Sequence, residues 1–156
     1  YDLAECLSFN LFIWLMMNGG FVDVYLTSNK PVLMDFLNSF EELMKKHVPN
    51  SYKIINSLNI PPHMYAFRWF SLLFAQEYEL PSLLSIWDVI LSKYGNMSTY
   101  IKYVALGHLK AVEGMLDRSS SSSTLGVLQK MYINNNPESV ITFANCLYRQ
   151  DYDEHL

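Results

Sequence analysis

The 156-residue chain is poor in charge, in cysteine and in long apolar runs. Charged residues make up 17% of it, below the roughly 25% usual for globular chains, while 51% are hydrophobic and 15% aromatic. Cys6 and Cys146 show no paired spacing, which excludes a disulfide framework and favours a reducing compartment. The longest apolar run, Leu11 to Met17, is far shorter than the roughly 20 residues that span a bilayer. We therefore expect a cytoplasmic chain without a transmembrane segment.

Several kinds of binding site are missing from the sequence as well. A net charge of −4, with no basic cluster beyond Lys45-Lys46, argues against nucleic acid and against an anionic membrane surface as primary partners. The histidines and cysteines lack the spacing of metal ligands, so no metal site is predicted. Gly19-Gly20 is not followed by a Lys-Ser/Thr pair, which excludes a phosphate loop. The sequence thus predicts neither a cofactor nor catalytic chemistry of its own.

Apolar residues recur at helical spacing through most of the chain, and we predict one all-α domain or subdomain over residues 1–156. The predicted helices cover residues 2–17, 31–47, 49–58, 62–76, 81–93, 98–117, 124–132 and 137–150. The first is apolar nearly all round, which predicts a central position. The serine-rich segment 118–123 is predicted to be a flexible loop. Residues 22–27 alternate weakly, but a lone strand would have no partner.

The segment from Ile60 to Leu91 is the most informative part of the sequence. Arg68 starts from a largely apolar helix face, so its burial requires hydrogen-bonding partners. It could be an arginine finger, or it could tie two helices together through Asp88, Glu77 or backbone carbonyls, and we favour the structural role. Trp69 and Trp87 occupy positions typical of core packing. We expect Asp88 to pair with Arg68 or to cap a neighbouring helix.

The residue groups Phe67-Arg68-Trp69 and Ile86-Trp87-Asp88, with Leu72-Leu73-Phe74, Gln76-Glu77-Tyr78 and Leu80-Pro81 between them, resemble the Arg-Trp…Trp-Asp signature of TBC domains. TBC domains are GTPase-activating modules for Rab proteins. The resemblance implies an all-α fold of two lobes, in which this chain is the C-terminal lobe. It also implies that Arg68, Trp69, Trp87 and Asp88 are structural signature residues.

The resemblance implies that this chain contains no catalytic residue. The catalytic arginine of the family lies in an Ile-x-x-Asp-x-x-Arg motif, which this sequence lacks. The catalytic glutamine lies in Tyr-x-Gln, normally followed by Gly and placed before the Arg-Trp segment. Tyr148-Arg149-Gln150 matches it literally, but at the wrong end of the chain and followed by Asp151. Because the chain begins at Tyr1, we expect both fingers in upstream sequence.

The family also implies the partners. A Rab-type GTPase would bind GTP and Mg²⁺ itself, and the N-terminal lobe of the same domain would pack against this chain. The protein would be cytoplasmic and would reach membranes through a Rab. The alternative is a non-catalytic helical interaction scaffold, either a degenerate TBC domain or a solenoid-like array. Upstream sequence with or without the two finger motifs would discriminate between them.

Overall fold

The computed structural model describes residues 2–22, 30–129 and 136–152. Within these ranges it contains eight α-helices and no strand, which confirms the all-α prediction. The helices are α1 (Asp2–Asn18), α2 (Lys30–His47), α3 (Pro49–Ser57), α4 (Ala66–Ser71), α5 (Leu80–Ser92), α6 (Met97–Val112), α7 (Ser121–Leu128) and α8 (Pro137–Tyr152). Single 3₁₀ turns lie at Pro62–Met64 and Glu113–Met115. The weak strand pattern after Val22 falls outside the described residues.

Helix α6 is the centre of the array. Every residue from Tyr103 to Leu109 is buried, and α6 contacts α2, α4, α5, α7 and α8. Its most extensive neighbour is α8. There a Cβ atom added to Gly107 would lie 2.5 Å from the carbonyl oxygen of Val140. The two backbones therefore approach closely because Gly107 has no side chain.

Helix α1 lies at the periphery, so the prediction that it is central is wrong. Leu3 is 74% exposed and Phe9 is 62% exposed, and only Trp14, Leu15 and Met16 are packed against the core. The all-round apolar pattern correctly indicates a helix that needs apolar cover. It does not say which element supplies that cover, and α6 occupies the centre instead. Gly20 follows the helix with a φ of +74°, a conformation that glycine adopts readily after a helix end.

The predicted helix over Pro62–Gln76 is also wrong in extent. A 3₁₀ turn comes first, α4 ends at Ser71, and Leu73 and Phe74 adopt positive φ angles of 47° and 63°. Phe74 is fully buried in this turn. The free energy gained by burying its ring outweighs the local preference for a continuous helix.

The serine-rich segment is a loop only in its first half. Helix α7 begins at Ser121, and the Ser120 hydroxyl accepts a hydrogen bond from the backbone N–H of Ser123 at 3.2 Å. The prediction of a loop through residue 123 is therefore wrong for Ser121–Ser123. Serine at the N-cap position satisfies a backbone N–H that the first turn leaves free. A similar cap opens α8, where Asn136 Oδ1 accepts a hydrogen bond from the Glu138 N–H at 2.9 Å.

Candidate functional site

The candidate site is the polar and aromatic cluster around Arg68, at the junction of α4, α5 and α6. Arg68 Nε donates a hydrogen bond to Glu77 Oε1 at 2.9 Å, and Arg68 Nη2 lies 2.6 Å from the same oxygen. The Glu77 side chain is fully buried, whereas that of Arg68 is 26% exposed. Of the partners open to Arg68 from the sequence, Glu77 is the one that it contacts. This ion pair closes the turn between α4 and α5.

Burial governs the electrostatics of Glu77. It raises the pKa of the Glu77 carboxyl above its ordinary value, although the charge and hydrogen bond of Arg68 lower it. Removing a carboxylate from water is costly unless a cation compensates it. The main role of Arg68 is therefore to compensate the free-energy cost of burying the Glu77 carboxylate.

An aromatic cluster surrounds this ion pair. Trp69 is fully buried, and its ring packs edge-on against the His108 imidazole at 4.8 Å and stacks with Phe74 at 6.1 Å between centroids. The Tyr78 hydroxyl and His108 Nδ1 share a hydrogen bond of 2.8 Å. Burial, reinforced by the Arg68 charge, lowers the pKa of His108 to about 3. His108 is thus a neutral core histidine.

Trp87 fixes the turn that follows α4. Its indole N–H donates to the carbonyl oxygen of Leu73 at 2.8 Å. Leu73 is one of the two positive-φ residues of that turn. Trp87 is only half-buried, because one side of its ring faces a cavity. This hydrogen bond holds α5 to the turn. The helical periodicity of the sequence does not predict it.

Asp88 does not belong to this cluster. Its side chain is exposed, and among the residues that the structure describes it has neither a hydrogen bond nor an ion pair. The expectation that Asp88 pairs with Arg68 or caps a helix is therefore wrong. Arg68 pairs with Glu77 instead. On α5, Leu83, Ile86 and Ile90 face the core, and Asp88 lies on the solvent side of the helix.

The cluster consists of packed aromatic rings around one ion pair. Within the described ranges no group of three or more His, Cys, Asp or Glu residues could hold a metal ion. Gln150 is exposed near the end of α8, remote in sequence from the cluster. The arrangement positions helices, and none of its groups is an exposed cation aimed at a ligand.

An apolar cavity of about 360 Å³ between α1 and α5 is the feature that sequence reasoning missed. Leu11, Phe12, Trp87 and Leu91 are among its lining residues, all of which are apolar. Phe12 is 59% exposed and Leu91 is 40% exposed. The sequence carried one sign of this cavity: the apolar stripe of α5 is wider than a single core-facing row. Other residues of α1, among them Leu3 and Phe9, are apolar and exposed as well.

Comparison with known proteins identifies the family of this helical array. Residues 1–116 match the Rab-GTPase-TBC domain. The chain belongs to this family. The TBC match runs from α1 through the 3₁₀ turn at Glu113–Met115 and so includes Arg68, Glu77 and Trp87. Helices α7 and α8 follow the matched part, although α8 packs extensively on α6.

Related TBC proteins are much longer than this chain. It is 34% identical over 104 residues to TBC1 domain family member 5 of Mus musculus, a match that covers 67% of this chain and 13% of that protein. It is 35% identical over 86 residues to the GTPase-activating protein GYP5 of Saccharomyces cerevisiae, covering 55% of this chain and 10% of that protein. The match spans only about a tenth to an eighth of the length of these TBC relatives. No helix within the described part of the chain is long and apolar enough to cross a bilayer.

Proposed function

We propose that this chain is the C-terminal lobe of a Rab GTPase-activating domain and that it contributes architecture, not catalytic groups. The observation that carries the proposal is the burial of the Arg68 and Glu77 pair among Trp69 and His108. An arginine finger must reach into the active site of another protein. Arg68 instead neutralises a carboxylate inside its own core.

The activity itself belongs to a longer protein in this proposal. The arginine and glutamine fingers lie upstream of Tyr1, and the partner Rab binds GTP and Mg²⁺. The name of the yeast relative, a GTPase-activating protein, supports this assignment. The protein acts in the cytoplasm, in membrane trafficking, and reaches membranes through its Rab. In this arrangement the chain forms one wall of the groove that holds the GTPase.

The exposed face of α1 supports a neighbour within the same domain. An apolar surface this continuous is unusual on a free monomer. In the proposal the N-terminal lobe packs against α1 and fills the cavity beside Phe12 and Trp87.

The test is single-turnover GTP hydrolysis by a panel of Rab proteins with the full-length parent protein. A GTPase-activating protein that supplies an arginine finger should raise the rate by about 10³ to 10⁵ for at least one Rab. A second measurement records binding of each Rab in its GTP and GDP forms. Binding to other proteins, with no rate increase for any Rab, would support the non-catalytic scaffold instead.

A further inference from the structure

A second concave surface lies between α2 and the segment that joins α3 to the Pro62 turn. It is a cavity of about 290 Å³, and it shares no lining residue with the apolar cavity at α1. We call it the Glu41 pocket, after the single carboxylate among the described residues that line it. The buried side chains of Met44, Ile60 and Tyr65 contribute an apolar floor.

The polar groups of the Glu41 pocket offer acceptor oxygens as well as amide and hydroxyl donors. They are the Glu41 carboxylate, the Asn56 and Asn59 side-chain amides and the Tyr65 hydroxyl, and no cationic residue occurs among the described lining residues. Tyr65 donates its proton only to Met44 Sδ at 3.5 Å. Its oxygen can therefore still accept a hydrogen bond. Burial, together with the Glu41 charge, raises the pKa of the Tyr65 phenol, which keeps it protonated.

A cationic side chain of the same protein, Lys45, already lies beside the pocket. The Lys45 ammonium lies 3.6 Å from Glu41 and 5.3 Å from the centre of the Tyr52 ring. It forms its hydrogen bond with Glu42, at 2.6 Å. Among the described residues no donor is hydrogen-bonded to the Glu41 carboxylate. The Glu41 carboxylate is thus held only by this longer ion pair, which a ligand would have to displace.

We propose that the Glu41 pocket binds an arginine side chain presented by a protein partner. The aliphatic stem covers the apolar floor, and the five N–H donors of the guanidinium match the acceptors of Glu41, Tyr65 and the asparagines. The guanidinium plane stacks on the Tyr52 ring. A lysine supplies three donors on a more strongly hydrated ammonium and fits less well. The proposal goes beyond the proposed role in GTP hydrolysis and does not depend on it.

The test is an NMR titration of the ¹⁵N-labelled chain with N-acetyl-arginine amide. We expect saturable shifts of the Asn56 and Asn59 side-chain amides, weaker binding of N-acetyl-lysine amide and no binding of N-acetyl-norleucine amide. Glu41→Gln should weaken binding of the arginine amide by about tenfold, the effect of losing one charge-assisted hydrogen bond. Asp35→Asn removes one charge from an exposed site on the same helix and should leave the affinity unchanged. Lys45→Gln should strengthen binding, because it removes the competing ammonium.

Four results would overturn the proposal. Equal weakening by Glu41→Gln and Asp35→Asn would show non-specific attraction to an acidic chain. Equal binding of the norleucine and arginine amides would show a purely apolar cavity. Tighter binding of free arginine than of its blocked amide would make the amino acid the ligand. An absence of any shift with the arginine amide would also contradict the proposal.

Discussion

At the residue scale, Arg68 and Glu77 depend on each other, because the Glu77 carboxylate is buried and Arg68 is its cationic partner. Neither partner can be removed alone without leaving the other charge or its hydrogen-bonding capacity unsatisfied. The Arg-Trp pattern in the sequence singles out Arg68, yet it offers several partners. Only the turn after α4 decides between them, because it brings Glu77 back onto the face of Arg68.

Replacing Arg68 by methionine should destabilise the chain by about 3–5 kcal/mol at neutral pH, because the Glu77 carboxylate is left buried and unpaired. The loss should be smaller at pH 5 than at pH 8. A carboxyl whose folded pKa is raised stabilises the fold below its unfolded pKa, and this contribution is lost as pH rises through the folded pKa. Urea unfolding at the two pH values measures both effects.

The matched variant for this pair is Glu77→Gln combined with Arg68→Met. It should recover much of the stability lost in Arg68→Met, because no buried charge remains. If the double variant is as unstable as the sum of the two single variants, Arg68 and Glu77 are not coupled and their contact is incidental.

His108 should make the chain sensitive to mild acid. Its folded pKa lies far below its ordinary value, so stability is present above the unfolded pKa and is lost as pH falls below it. The expected loss is about 1.4 kcal/mol for each pH unit below roughly 6.5. Urea unfolding between pH 7 and pH 5 should show this slope, and His108→Leu with Tyr78→Phe should reduce it. His63→Gln, at an exposed position, is the control and should leave the slope as it is.

At the scale of helices and turns, the array depends on where the backbone approaches itself or reverses. Gly107 allows α6 and α8 to touch, and Trp87 holds the turn at Leu73. Lys46, His47 and Tyr103 all contact the Asp151 carboxylate, which ties the end of α8 to α2 and α6. These contacts fix the helices that carry the Arg68 cluster.

Two glycines with open space around them should respond to alanine in opposite directions. Gly95 has φ +78° in the turn between α5 and α6, so Gly95→Ala should destabilise by about 1 kcal/mol. Gly126 lies inside α7, so Gly126→Ala should stabilise by about 0.5–1 kcal/mol. Chemical denaturation of the two variants beside the parent chain provides the comparison. Destabilisation by both would mean that side-chain volume, and not backbone conformation, decides at these sites.

The sequence predicts helices best where pattern and packing agree. The apolar stripe of α2, with charges opposite, gives its bounds to within one residue. The sequence fails at α4, because the burial of Phe74 is a tertiary effect. It also fails for Asp88 and for the apolar cavity. The apolar stripe of α5 includes Leu84 and Leu91. From the sequence alone, such residues cannot be assigned either to the core or to a second apolar surface outside it.

At the scale of the whole molecule, the chain combines a well-packed interior around α6 with an apolar α1 that is largely uncovered. An apolar helix of this kind is usually covered by another element. Our proposal that the chain is a lobe of a larger domain starts from this exposed helix and from family membership.

Phe12→Asp should therefore act differently in the chain and in the longer parent protein. In the isolated chain Phe12 is largely exposed, and the change in unfolding free energy should stay within about 0.5 kcal/mol. In the parent protein the aspartate would be buried against the N-terminal lobe and should cost several times as much. Met34→Asp, at an exposed site on α2, is the control. Equal effects of Phe12→Asp in both proteins would contradict packing at α1.

The central claim is that this chain supplies architecture and no catalytic group. The most direct measurement is single-turnover GTP hydrolysis by a panel of Rab proteins in the presence of saturating isolated chain, compared with each intrinsic rate. We predict no acceleration, because in our proposal both fingers lie outside this chain and Arg68 is engaged with Glu77. An increase of about tenfold or more, lost on replacing Arg68 or Gln150, would contradict the claim and assign that residue to catalysis.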